Sequence, residues 1–137
     1  MLGSDRADGV RGILLDSPFV NSTMAALHHP STLLIRLAVP FALNIIKERL
    51  GDLYASDELL GTLSVDVLIM QGDADSEIPI DLAGGNLLVE SVREKRALNG
   101  IEGDCDIIVV KGADHENVHA QEGFVEDVRK FIQARLH

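Results

Sequence analysis

Apolar residues in this chain fall into short runs that stop at glycine, proline or acidic turns, and these runs alternate with longer stretches at helical spacing. Residues 10–15, Val-Arg-Gly-Ile-Leu-Leu, predict a short strand that ends at Asp16-Ser17-Pro18. Ser31 then caps an apolar stretch over residues 33–50, which Pro40 should kink or split because its ring clashes with the preceding turn and it has no N–H. Residues 57–63 predict a short helix leading into a strand that opens at Val65 and runs to Met70, Gln71 and Gly72. Pro79 marks the next helix start, and residues 82–98 continue it, with Gly84 and Gly85 weakening the early turns and Arg93, Lys95 and Arg96 placed where cations suit the helix dipole. A loop at 99–104 precedes a strand over 105–111. A final helix over about 122–136 sets Val125, Val128, Phe131, Ile132 and Leu136 at the spacing of a helix packed on a sheet. Strand and helix thus alternate in the way that builds a parallel sheet, within one domain and with no internal repeat, low-complexity segment or dividing linker.

Composition narrows the partners. The 137 residues carry a formal net charge of -10, and the twelve Lys and Arg are not clustered into the basic stripe that nucleic acid requires, so a nucleic-acid partner is not expected. Aromatics are scarce and Trp is absent, which predicts an aliphatic core. The single Cys105 cannot pair within the chain and reads as a small buried hydrophobe, compatible with a reducing compartment. The opening Met-Leu-Gly-Ser-Asp-Arg-Ala-Asp is polar and is no signal peptide. The 31–50 segment has the hydropathy of a membrane span, but Arg36, Pro40, Asn44 and Lys47 break its continuity, leaving it as a candidate for membrane contact rather than for crossing. Location is therefore expected to be cytoplasmic or membrane-associated, and oligomeric state is left open.

Chemistry concentrates at two strand ends. The run Val-Leu-Ile-Met-Gln-Gly-Asp-Ala-Asp-Ser-Glu-Ile-Pro ending at Pro79 presents Asp75 three residues beyond Gly72, and Ile-Ile-Val-Val-Lys-Gly-Ala-Asp-His presents His115. An acid and a His at successive strand ends look like the acid and base of a Ser-His-Asp triad in the order nucleophile, acid, His. Asp75 could instead belong to a solvated acidic turn. An EF-hand reading of Asp73, Asp75 and Glu77 fails, because the sixth position is Ile78 rather than Gly and the twelfth is Gly84 rather than Glu. His115 has a rival role in His115-Glu116-Asn117-Val118-His119, which satisfies the zinc-peptidase pattern His-Glu-x-x-His. That pattern must be helical, and here it follows a β-type run with little room to start a helix. Its extended form would also need Gly at Glu122 and His at Val125. No metal or other cofactor is expected. His28 and His29, before Pro30, read as a polar turn. Ser17 is the serine nearest a strand end, but Leu15-Asp16-Ser17-Pro18 lacks the glycines that let a nucleophile elbow turn sharply.

The order of these segments resembles the C-terminal half of a serine α/β-hydrolase. Ile13-Leu14-Leu15-Asp16-Ser17-Pro18-Phe19, a Pro-interrupted lid-like stretch at about 23–63, the Gly72-to-Pro79 acid loop and Gly112-Ala113-Asp114-His115 are most similar to the lysophosphatidylserine and monoacylglycerol lipases. The resemblance implies a partial α/β-hydrolase fold across 1–137, with parallel strands, flanking helices and a lid-like helical insertion. It implies Asp75 as the acid orienting the imidazole, His115 as the base, and a lipid or other acyl ester as substrate. No Gly-x-Ser-x-Gly occurs in the chain, so the elbow and oxyanion hole would belong to segments preceding Met1, and the chain is expected to be inactive alone. The strand that borders the missing nucleophile strand would then have an unpaired apolar edge, which predicts self-association. Two other classes stay open: a non-catalytic acyl-binding or interaction module, and a zinc peptidase using His115 and His119.

Overall fold

In the computed structural model, residues 9–30 and 55–136 are described, and the 31–50 stretch with most of the lid-like segment lies outside them. Three strands, β1 (Gly12–Asp16), β2 (Asp66–Gly72) and β3 (Cys105–Val110), form an open parallel sheet in the order β1-β2-β3. Leu14 pairs in register with Leu68, and Ile69 with Ile107. Among the described residues β1 pairs only with β2, which leaves its other edge without a strand. Among the described residues the helices are α1 (Ser22–His28), α2 (Ser56–Thr62), α3 (Gly85–Asn99) and α4 (Phe124–Gln133), with one 3-10 turn at Val118–Ala120. Among the described residues no helix is long and apolar enough to cross a membrane.

The sequence of β2 explains why it is central. A parallel strand covered on both faces must be apolar throughout, and Val67, Leu68, Ile69 and Met70 are all buried. Side chains alternate between the two faces. Val67 and Ile69 join Leu88, Val89 and Val92 of α3, with Leu60 of α2 and Cys105, in one core. Leu68 and Met70 join Val118, Phe124, Val128 and Phe131 on the other face. Cys105 is a free buried thiol whose pKa burial pushes up, so it acts as a small hydrophobe.

Two helices depart from the sequence expectation. The final helix packs through Phe124, Val128 and Phe131, while Val125, Ile132 and Leu136 are exposed. Phe124 and Phe131 are the larger pair one helical face over, and Phe131 closes directly over Gly12 of β1, where a Cβ would meet its ring at 3.0 Å. Pro79 does not open α3. Its carbonyl accepts from Leu82, Ala83 and Gly84 in a tight turn, and the helix begins only at Gly85.

Arg96 also has a different role from that of a dipole-facing surface cation. It is 3% exposed, and its guanidinium donates to the carbonyls of Leu60, Val65, Gly103 and Asp104 at 3.1, 2.9, 2.8 and 3.2 Å. One side chain thus satisfies the end of α2 and the loops entering β2 and β3. Arg93 pairs with exposed Asp106 and donates to the Cys105 carbonyl at 2.8 Å, and Lys95 pairs with Glu58 and Asp57, whereas the pair of Arg129 with Glu126 is exposed on both sides and contributes little in water.

Replacing Arg96 by Met should cost about 3 kcal/mol or more, because each buried acceptor left unpaired costs about 1–3 kcal/mol. Arg129→Met, which loses an exposed pair with Glu126 one turn away, should cost about 1 kcal/mol or less. Urea unfolding of the two variants checks this, and equal losses would show that the four carbonyls do not depend on Arg96.

Candidate functional site

The carboxyl ends of β2 and β3 stand side by side, Gly72 against Val110, so the loops that leave them meet. They are stitched together by main-chain bonds. Asp73 N donates to Val110 O at 3.2 Å and Ala74 N to Ala113 O at 3.0 Å, while the Asp73 carboxylate accepts from Gly112 N at 2.6 Å. The approach is so close that a Cβ at Gly72 would overlap the Ala113 carbonyl, which is the physical reason for glycine there.

Asp75 follows on the first loop. Its side chain has no exposed surface, so each carboxylate oxygen must be solvated by protein donors. Oδ1 accepts the backbone N–H groups of Glu77 and Ile78 at 3.0 and 2.8 Å. Oδ2 accepts Gln71 Nε2 at 3.0 Å and lies 2.9 Å from His115 Nδ1. The solvated-turn alternative for Asp75 does not fit a carboxylate enclosed in this way.

His115 rides on a turn closed by its neighbours. Asp114 Oδ1 accepts from Glu116 N and Asn117 N at 2.9 and 3.0 Å, and Asn117 Oδ1 accepts from Asp114 N at 2.9 Å. This reciprocal side-chain capping holds the imidazole over Asp75. The ring is 32% exposed, and its Nε2 lies 3.9 Å from Glu77 Oε2. Burial is the largest single influence on its basicity and lowers it. The hydrogen bond and charge of Asp75, with the charges of Glu77 and Asp16, together outweigh burial and leave the pKa above the ordinary 6.5. With Asp75 on Nδ1, that nitrogen carries the proton and Nε2 is free to accept one.

The structure brings Asp75 and His115 together and separates His115 from His119. His115, Glu116 and Asn117 form a turn and Val118–Ala120 one 3-10 turn, so the two rings do not share a face of an α-helix as zinc-peptidase ligation requires. Among the described residues the carboxylate nearest His119 is that of Asp16, at 3.9 Å. Among the described residues no group of three or more His, Cys, Asp or Glu side chains could hold a metal ion. Ser17 does sit in a strained turn at the end of β1, with φ 50°, but its hydroxyl donates to Asp16 Oδ1 at 2.8 Å. A cleft of about 320 Å³ between β3 and α4 is lined by Ile108, Val110 and Phe124 and includes neither Asp75 nor His115.

Sequence reasoning passed over Gln71 and the Asp114–Asn117 cap, and weighed Glu77 only as a calcium ligand. A lone amide inside the run from Val67 to Gly72 was the available signal for Gln71, and Asp and Asn three residues apart were the signal for the cap. Glu77 had none, since its approach to Nε2 depends on how two distant loops meet. No protein-family model and no curated protein matches the sequence.

The raised pKa of His115 ties stability to pH. A group with a folded pKa above its unfolded one contributes fully below the unfolded value of 6.5 and loses that contribution as pH rises through the folded value. His115→Ala should therefore lower the melting temperature most at about pH 5.5 and least at about pH 8.5. Circular dichroism melts of both proteins across this range check it, and a gap that widens with rising pH would refute the pairing.

Proposed function

We propose that this chain carries the acid and base of a serine-hydrolase triad within a partial α/β-hydrolase fold, and that the reaction is the hydrolysis of lipid or other acyl esters. The observation that carries the reading is the 2.9 Å contact between Asp75 and His115 Nδ1 at adjacent ends of parallel strands, in a His115 side chain that stays partly exposed. In this mechanism a serine hydroxyl gives its proton to His115 Nε2 as its oxygen attacks the ester carbonyl. Asp75 stabilises the imidazolium, which then returns the proton to the departing alcohol, leaving an acyl-serine that water hydrolyses by the same steps. Neutral imidazole is the active form, so turnover should rise as pH passes through the raised pKa of His115.

The substrate class rests on the resemblance of the Asp16-Ser17-Pro18-Phe19 segment, the lid-like stretch and the two loops to lysophosphatidylserine and monoacylglycerol lipases. Since the chain contains no Gly-x-Ser-x-Gly, the serine and oxyanion donors would come from a segment laid along the open edge of β1, and the 137 residues by themselves would be inert. That open edge also favours a second reading, a non-catalytic module that pairs with another chain.

Labelling separates the two. A fluorophosphonate, which phosphonylates an activated serine with loss of fluoride, should not label the 137-residue chain. Extending the chain at its amino end with a strand, a Gly-x-Ser-x-Gly turn and a helix should produce labelling and monoacylglycerol hydrolysis. His115→Ala or Asp75→Asn in that longer protein should reduce both about 10³-fold or more, the scale of losing a triad member. Labelling that survives His115→Ala, or unaided turnover by the 137 residues, would defeat the proposal.

A further inference from the structure

Gln71 is an expensive residue for its position. It lies in β2, the most deeply buried strand, is 0% exposed, and has Ile69 two residues before it on the same face of the sheet. An aliphatic side chain there would extend the core, whereas a buried amide costs free energy unless its donors and acceptor are met. Here they are met. Oε1 accepts the N–H of Gly85, the first residue of α3, at 2.5 Å, and Nε2 donates to Ile78 O at 2.7 Å and to Asp75 Oδ2 at 3.0 Å. The partners also fix which way the amide faces: Gly85 offers only an N–H and Ile78 only a carbonyl, so the nitrogen must be the end that reaches Asp75.

The surrounding main chain is shaped to this amide. A Cβ at Gly84 would stand 2.5 Å from Oε1 and 2.7 Å from Nε2, and one at Gly85 would stand 2.9 Å from Oε1. The glycine pair that weakens the start of α3 is therefore the pair that admits Gln71. On Asp75, the loop's own N–H groups hold only Oδ1. The oxygen that faces His115 is Oδ2, and among the described residues its only other partner is Gln71.

We infer that Gln71 is a positioning residue for the Asp75–His115 pair, fixing the plane of the Asp75 carboxylate from the core so that Oδ2 stays aimed at His115 Nδ1. The catalytic meaning of this rests on the hydrolase reading above, but the geometric claim does not. Without the Gln71 donor, Oδ2 keeps only His115 as a partner among the described residues, and the carboxylate can pivot about its Oδ1 hydrogen bonds through small changes of both side-chain torsions, which carries the charge on Oδ2 away from the ring.

NMR titration of the ring of His115 tests the claim in the chain as it stands. In Gln71→Met, which keeps length and loses the amide, the titration midpoint of His115 should fall by about half a pH unit or more, and the downfield Nδ1 proton signal should disappear. Gly84→Ala should do the same by displacing an unchanged Gln71. A His115 midpoint that is unchanged or raised in either folded variant overturns the inference. The wild-type protein supplies a measurement that needs no variant: the two Nε2 protons of Gln71 should exchange with solvent far more slowly than those of the exposed Asn99. Equal exchange rates overturn the inference as well. Failure of the hydrolase reading would look different, since an extended chain that never labels while its His115 still responds to Gln71→Met removes the enzyme and keeps the positioning.

Discussion

Burying an ionised carboxylate is unfavourable by many kcal/mol unless donors replace the water it loses, and that demand organises one end of this molecule. Asp75 is enclosed because its loop turns back under β3, and the enclosure is tolerable because four donors converge on two oxygens. Two of these donors come from the loop itself. The other two are side chains from different elements, Gln71 from the central strand and His115 from the loop after β3. Their convergence ties the start of α3, the end of β2 and the turn beyond β3 to one group.

A complementary arrangement lies at the opposite end of the sheet. There the buried ion is a guanidinium, and Arg96 gathers carbonyls from four positions on three segments. Between the two sits β2, whose apolar residues leave its ends dependent on polar closure by neighbours. Covering both faces of a parallel strand gives stability through apolar area, and it also removes water from the groups where the strand stops. One buried cation and one buried anion answer that need at the two ends.

Much of this could be read in the sequence, and the part that could not has a consistent cause. The strands were visible because apolar runs stop abruptly at Asp16, Gly72 and Lys111, and the two strand-end loops because Gly, Asp and His follow those runs at fixed offsets. The late start of α3 was invisible, because the N–H of Gly85 is claimed by a side chain fourteen residues earlier. The face of the last helix was misjudged for a similar reason. Apolarity alone ranks Val125 and Ile132 with Val128 and Phe131, whereas packing selects Phe124, Val128 and Phe131, the residues that meet β1 and β2. Arg96 looked like any cation in a last helical turn, since nothing local announces carbonyls delivered by Leu60, Val65 and Gly103. Local pattern reveals elements; it does not reveal which of their polar atoms will be stranded when they pack.

The stitching between the two loops has a mechanical corollary. Because Asp73 and Ala74 are bonded directly to Val110, Gly112 and Ala113, thermal displacement of one loop drags the other with it, and the separation of carboxylate and imidazole is conserved while both drift together. Among the described residues both outer strands have a margin without a partner strand, so the carboxylate and imidazole form a single stiff unit at one end of a sheet whose two sides are open.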